Sequence, residues 1–132
     1  MAEGPLVLVV EDSQTQAQEL SARLMEGGFE VVLAGDGPQA LRIADVYQPD
    51  LIVLDVNLPT MSGYQICDRL RRDPSTANIP IVMLTAADSS EDIQTGYRSG
   101  ADAYIPKGAF AINHLFSTFE RIGFSAAKGT GV

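Results

Sequence analysis

A chain of 132 residues with 45% hydrophobic content can bury about two-thirds of its unfolded surface as one domain, with no need of disulfide or metal staples. Its lone cysteine, Cys67, excludes an internal disulfide framework, and a start reading Met1-Ala2-Glu3-Gly4-Pro5 lacks the basic-then-apolar pattern of a secretory signal. Apolar runs such as Leu6 to Val10 fall far short of the ~20 residues of a membrane span, and nine basic against seventeen acidic residues offer no cationic stripe for a phosphate backbone, so a soluble, cytoplasmic protein is expected that by itself touches neither membrane nor nucleic acid.

Along the chain, short β-branched runs alternate with stretches of helical period, the pattern of a parallel sheet flanked by helices. Leu6 to Val10 is the first strand, and Ala17, Leu20 and Leu24 then mark one apolar helix face that ends at Gly27-Gly28. Glu30 to Ala34 is the second strand. Asp36-Gly37-Pro38 turns into a helix with Ala40, Leu41 and Ala44 facing inward, ending before Pro49. Leu51 to Leu54 is the third strand, and its lack of alternation predicts burial on both faces. After a loop bracketed by Pro59 and Gly63, the third helix carries Ile66, Cys67 and Leu70 inward until Asp73-Pro74 breaks it. Ile81 to Leu84 is the fourth strand. A fourth helix follows, capped by Ser89 with Asp92 and given a thin apolar face by Ile93 and Tyr97. Ala103 to Ile105 is a short fifth strand, and Ile112, Leu115, Phe116, Phe119 and Ile122 trace the clearest amphipathic helix of the chain. Residues 1–123 form the domain, and residues 124–132, rich in Ser, Ala, Gly and Thr, read as a flexible C-terminal tail.

The polar residues that end the strands carry the functional argument, because the site of an open parallel sheet lies outside the carboxyl ends of its strands. The first strand runs into Glu11-Asp12, the third into Asp55 and Asn57, and the fourth into Thr85; Lys107 follows the fifth by two residues. If strands one and three are neighbours, three carboxylates converge on one crevice. Such a cluster needs a counter-charge, and an all-oxygen donor set favours a hard divalent ion such as Mg2+. Asp55, on the rigid central strand, is then best placed to act as a nucleophile toward phosphorus, with Thr85 and Lys107 meeting the charge on the phosphoryl oxygens.

These residues resemble the receiver domains of two-component response regulators, from about Leu6 to Ile122. The motifs are Glu11-Asp12, the run from Asp55 through Asn57 and Pro59 to Gly63, Thr85-Ala86, and Tyr104-Ile105-Pro106-Lys107. The resemblance implies a flavodoxin-like α/β fold, a doubly wound five-stranded parallel sheet in the order two-one-three-four-five. It implies that Asp55 accepts a phosphoryl group from a phosphohistidine of a sensor histidine kinase or a histidine phosphotransfer protein. Asp12 and Asp55 would bind Mg2+ directly, Glu11 directly or through water, and Asn57 through its main-chain carbonyl. Lys107 and Thr85 would contact the phosphoryl group, and Thr85 with Tyr104 would switch a face read by a downstream effector protein or domain. Such a chain is a signalling phospho-acceptor rather than an enzyme, limited to its own phosphorylation and dephosphorylation.

One departure stands out: Gly108 follows Lys107 where the family usually has proline, so the Lys107–Gly108 bond is expected trans. Two other readings are disfavoured and one competes. A haloacid-dehalogenase-type phosphohydrolase would want an acid where Asn57 stands, and a flavoprotein would want a Ser/Thr/Gly-rich loop where Glu11-Asp12 stands. A receiver-like interaction module that no longer takes phosphate would share the whole fold. Taken singly, the other candidates have plainer roles. Cys67 lies on a core stripe, His114 points outward from the last helix, Met61 packs in a loop, and Arg71 with Arg72 favours a helix C-terminus.

Overall fold

Residues 4–86, 94–95, 98–108 and 110–125 are described by the structure, a computed structural model. Strands β1 (Leu6–Val10), β2 (Glu30–Ala34), β3 (Leu51–Asp55), β4 (Ile81–Thr85) and β5 (Ala103–Pro106) alternate with helices α1 (Gln14–Glu26), α2 (Gly37–Tyr47), α3 (Gly63–Arg72) and α4 (Ala111–Arg121). The last of these is the amphipathic helix that follows the fifth strand. Residues 94–95 and 98 are also helical, whereas the expected cap Ser89, its partner Asp92 and the apolar pair Ile93 and Tyr97 lie outside the described residues. Among the described residues, no helix is long and apolar enough to cross a membrane.

Every strand pairing is parallel, in the order β2-β1-β3-β4-β5, as the alternation of elements and the resemblance imply. Successive residues of a strand face opposite sides, so each central strand feeds two cores. On one side Leu8, Val10, Ile52, Leu54 and Met83 pack with Ala40 and Ala44 of α2 and Ile66, Cys67 and Leu70 of α3. On the other, Val7, Val9, Val53, Val82 and Leu84 pack with Leu24 of α1 and Leu115 and Phe119 of α4. Cys67 is thus a core residue, as its stripe predicts, and His114 is exposed.

Local signals set the helix starts. Ser13 Oγ accepts from Gln16 N–H, Asp36 Oδ1 accepts from Gln39 N–H, and Ser62 with Gln65 closes a reciprocal capping box. Two carboxylates do comparable work at the opposite edge of the sheet. Asp50 Oδ2 accepts from Leu6 N–H at 2.7 Å, and Asp102 Oδ2 accepts from Ile81 N–H and from Arg71 Nη2, both at 2.8 Å.

Two differences from the sequence reading follow from backbone bonding and packing. Strands β3, β4 and β5 each run one residue past their apolar stretch, to Asp55, Thr85 and Pro106, because ladder hydrogen bonds rather than side-chain polarity decide where pairing stops. Phe124, the first residue of the expected tail, is instead packed: its ring stacks on Phe29 at 5.2 Å and meets Phe119 edge-on at 5.1 Å. Residues 126–132 lie outside the described residues.

Candidate functional site

The strand extensions matter because they carry the polar side chains to one edge of the sheet. The end of β3 is locked by Val56 N–H donating to Leu84 O at 3.1 Å, and the end of β5 by Lys107 N–H donating to Thr85 O at 2.6 Å. Glu11 is tied to the outer strand by its N–H on Ala34 O at 3.0 Å. Four chain segments therefore arrive at the same place with their backbones already hydrogen-bonded, and the side chains there need little further ordering.

Glu11, Asp12 and Asp55 present carboxylate oxygens that all lie within 4.8 Å of one another. Glu11 is 8% exposed and Asp55 4%, while Asp12 faces solvent. Lys107 reaches in from beyond β5: its Nζ donates to Glu11 Oε1 at 2.9 Å, to Asp55 Oδ2 at 3.1 Å and to the Gln16 amide oxygen at 3.1 Å. The second oxygen of each buried acid also has a donor. Asn57 N–H bonds Asp55 Oδ1 at 3.2 Å, and Ser13 N–H bonds Glu11 Oε2 at 3.2 Å.

Burial pushes the Glu11 carboxyl above its ordinary range, further than its hydrogen bonds from Lys107 and Ser13 N–H pull it down, and the charge of Asp55 adds to the rise. Burial works on Lys107 in the other sense, lowering it, but the bonds to Glu11 and Asp55 outweigh that and hold its ammonium above the ordinary lysine value. Lys107 is therefore charged at neutral pH. Three carboxylates against this one ammonium leave a surplus of two negative charges in a partly desolvated hollow. A divalent cation with oxygen ligands fits that surplus and that donor set.

Of the remaining residues singled out by sequence, Thr85 is fully buried at the end of β4, Asn57 is exposed on the loop after β3, and Tyr104 is half-buried on β5. Asn57 enters the cluster through its main chain, by the N–H on Asp55. The Gly108 departure does not displace the lysine: no described peptide bond is cis, and Lys107 still bridges both buried acids. Beside the cluster, an open groove of about 340 Å³ between α1 and α4 is lined by Gln16, Leu20, Lys107 and Ile112, so the site is reachable from that side.

Sequence reasoning missed two contributors. Gln16, a third partner of Lys107, sits on α1 with no motif to mark it. Gly63 begins α3 with its N–H on Val56 O at 2.8 Å, at a place where an added Cβ would collide with the Asp55 carbonyl, a close approach that only a residue without Cβ permits. The run from Asp55 to Gly63 contained that signal, but the distance that gives it meaning is tertiary.

Comparisons with known proteins agree with this geometry. Residues 7–120 match the sequence profile described as the response regulator receiver domain. The chain is 42% identical over 103 residues to the DNA-binding dual master transcriptional regulator RpaA of Synechocystis, a match covering 78% of this chain and 43% of that protein. The curated relatives it matches are thus longer, and the chain spans less than half of their length. Among solved structures, the chemotaxis protein CheY4 of Vibrio cholerae superposes with a TM-score of 0.83 at 35% identity, covering 90% of this chain and 98% of that one. The receiver domain of the Pseudomonas aeruginosa sensor histidine kinase PA1611, with magnesium coordinated in its active-site cleft, superposes with a TM-score of 0.81 at 30% identity, covering 89% and 96%. With its strand order, its acidic edge and this profile match together, the chain belongs to the response regulator receiver domains, the phosphoryl-accepting modules of two-component signalling.

Proposed function

We propose that Asp55 is the phospho-acceptor of this chain, charged by a phosphohistidine of a sensor kinase or histidine phosphotransfer protein. The observation that carries this reading is the bridge of Lys107 across Glu11 and Asp55 inside the three-carboxylate cluster. A carboxylate oxygen of Asp55 attacks the phosphorus; the new P–O bond forms as the P–N bond breaks, and the electron pair returns to the imidazole, which takes up a proton. Asn57 N–H and Lys107 hold the carboxylate in place, and Lys107 turns part of its charge to the arriving phosphoryl oxygens. Thr85 supplies its hydroxyl to the same group.

Glu11, Asp12 and Asp55, with the main-chain carbonyl of Asn57, would hold Mg2+. When bound, the ion neutralises charge on the phosphoryl oxygens during transfer. We assign the chain no turnover beyond its own phosphorylation and dephosphorylation, a cytoplasmic place, and an output read by a downstream protein or domain rather than by nucleic acid. Residues 1–123 with Phe124 make up the phospho-accepting domain. The rival reading, a module that no longer takes phosphate, drew on Gly108; the reach of Lys107 to both acids weighs against it.

The test is incubation with magnesium and acetyl phosphate, followed by intact-mass measurement. Wild type and Asp50→Asn should each gain one phosphoryl group, labile to hydroxylamine; in the latter the new amide oxygen still accepts from Leu6 N–H. Asp55→Asn should gain none. No gain in the wild type, or a gain that persists in Asp55→Asn, refutes the assignment.

A further inference from the structure

Helices α1 and α3 open with the same local motif, a serine followed three residues later by glutamine. At Ser62-Gly63-Tyr64-Gln65 the motif closes: Ser62 Oγ accepts from Gln65 N–H at 3.2 Å, and the Gln65 amide oxygen accepts from Ser62 N–H at 3.0 Å. Ser13-Gln14-Thr15-Gln16 completes only the first half, with Ser13 Oγ accepting from Gln16 N–H at 3.3 Å. The site takes over the second half. Ser13 N–H donates to Glu11 Oε2 at 3.2 Å, and the Gln16 amide oxygen turns instead to Lys107 Nζ at 3.1 Å, 91 positions away. A local rule kept at one helix and given up at the other marks α1 as the place where a tertiary demand prevails.

We propose that Gln16 is a positioning residue for Lys107 in phosphoryl transfer to Asp55: it fixes where the ammonium sits and leaves its charge for the phosphoryl oxygens. The inference rests on the function proposed above and adds a residue to it. Distances to Glu11 Oε1 and Asp55 Oδ2 alone confine Nζ to a circle around the line joining those oxygens, and a third distance, to an acceptor on a different element, removes that freedom. An ammonium has three N–H groups, and these three acceptors match them. The third acceptor is neutral, so it orients the lysine without adding to the negative charge that already faces it. A side-chain tether matters here because Gly108 follows Lys107: a Cβ there would meet nothing within 4 Å, and glycine restrains the backbone less than the proline usual in the family. Gln16 hangs from a firm base, since α1 buries Ala17 and Leu24.

The experiment uses the full chain as wild type, Gln16→Met and Gln16→Glu. Lys107 and Lys128 are its only lysines, so isotopic labelling of lysine Cε gives two NMR signals. Without magnesium or phosphodonor, the two Cε protons of Lys107 in the wild type should have distinct shifts, as in a side chain held in one place. In Gln16→Met, which keeps the length and helix propensity but has no amide oxygen, they should converge while Lys128 stays unchanged. Gln16→Glu, which restores an acceptor oxygen at the same reach, should keep them distinct. Phosphorylation of Gln16→Met by acetyl phosphate with magnesium, read by intact mass, should slow about two- to tenfold, the loss that corresponds to one net hydrogen bond, with the urea midpoint of the wild type. An unmoved Lys107 signal in Gln16→Met overturns the inference whether or not phosphorylation slows, because a residue acting on the donor or on α1 alone would leave the ammonium in place. A converged signal with phosphorylation at the wild-type rate, convergence in Gln16→Glu as well, or a lowered urea midpoint in Gln16→Met also overturns it. In each of these cases the assignment of Asp55 stands; if the wild type gains no phosphoryl group, that assignment fails and takes the inference with it.

Discussion

Replacing Gly63 by alanine puts a methyl group into the backbone of the central strand. A Cβ at this position would lie 2.8 Å from Val56 Cα and 3.0 Å from the Asp55 carbonyl carbon, and closer still to the Asp55 carbonyl oxygen. Carbon pairs are comfortable at about 3.5–4.0 Å, so β3 and α3 would have to separate by roughly 0.5–1 Å. Neither side yields readily: β3 is buried on both faces, and α3 is anchored by Ile66, Cys67 and Leu70. Overpacking of this kind costs ~1–3 kcal/mol, and stretching the Gly63 N–H bond to Val56 O adds about 0.5–1.5 kcal/mol. Alanine's better helix propensity returns at most ~1 kcal/mol, leaving a net loss of roughly 0.5–4.5 kcal/mol, centred near 2–3 kcal/mol. Gly63 does not have a positive φ, so the effect is steric rather than conformational. The control is Gly108→Ala, where a Cβ would meet nothing within 4 Å and stability should stay within about 0.5 kcal/mol. Urea unfolding measures both. Labelling of Gly63→Ala by acetyl phosphate should also slow by about tenfold or more, because Asp55 moves relative to Lys107. A Gly63→Ala protein as stable as Gly108→Ala, labelled at the wild-type rate, would refute the close-approach argument.

Three further outcomes are expected. Magnesium should stabilise the wild type by about 2.7 kcal/mol at a hundredfold excess over its Kd, and Asp12→Ala, which alters an exposed side chain, should lose most of that gain in thermal melts while folding normally without the ion; an undiminished magnesium effect would remove Asp12 from the ligand set. Arg71 donates to Gly100 O, Ala77 O and Ile79 O as well as to Asp102, so Arg71→Ala should cost about 2–4 kcal/mol in urea unfolding, and Arg71→Lys, which cannot fork, should recover less than half; a loss under about 1 kcal/mol would show the clamp to be idle. Burial, only partly offset by a bond from the Ser99 side chain, pushes the Cys67 thiol above its ordinary 9.0. A raised folded value favours the neutral form, so its stabilisation is complete below the unfolded pKa and lost as pH rises through the folded one. Above about pH 9 the unfolding free energy of wild type should fall more steeply than that of Cys67→Ala, and native Cys67 should resist alkylation; parallel pH profiles or prompt labelling would contradict this.

Much of the fold was legible because its signals are local. Unbroken apolar runs such as Leu51 to Leu54 mark strands buried on both faces, and the spacing of Ile66, Cys67 and Leu70 marks the inner face of α3. The polar residues that interrupt those runs, Glu11, Asp55 and Thr85, stood out for the same reason: they end segments that are otherwise apolar. Boundaries were less legible, since Asp55, Thr85 and Pro106 belong to the ladder through backbone bonds that side-chain character does not report. By composition Phe124 reads as tail, because its neighbours in the chain are small and polar, whereas its ring partners Phe29 and Phe119 lie elsewhere in the chain.

The sequence alone determined the class of fold, the faces of its helices and the acidic character of one sheet edge, because periodicity and composition act over a few residues. Tertiary structure decided which charges meet. It set Lys107 on Glu11 and Asp55 across separations of 96 and 52 positions, seated Gly63 against the acceptor strand, and joined Tyr64 to Tyr104. The same kind of residue took opposite duties by position: Asp50 and Asp102 cap backbone at the amino ends of the strands, while Asp55 at a carboxyl end joins the three-carboxylate cluster. The reason is that a hydrogen bond or an ion pair depends on separation in space, and that is settled only when the parallel sheet brings its strand ends side by side.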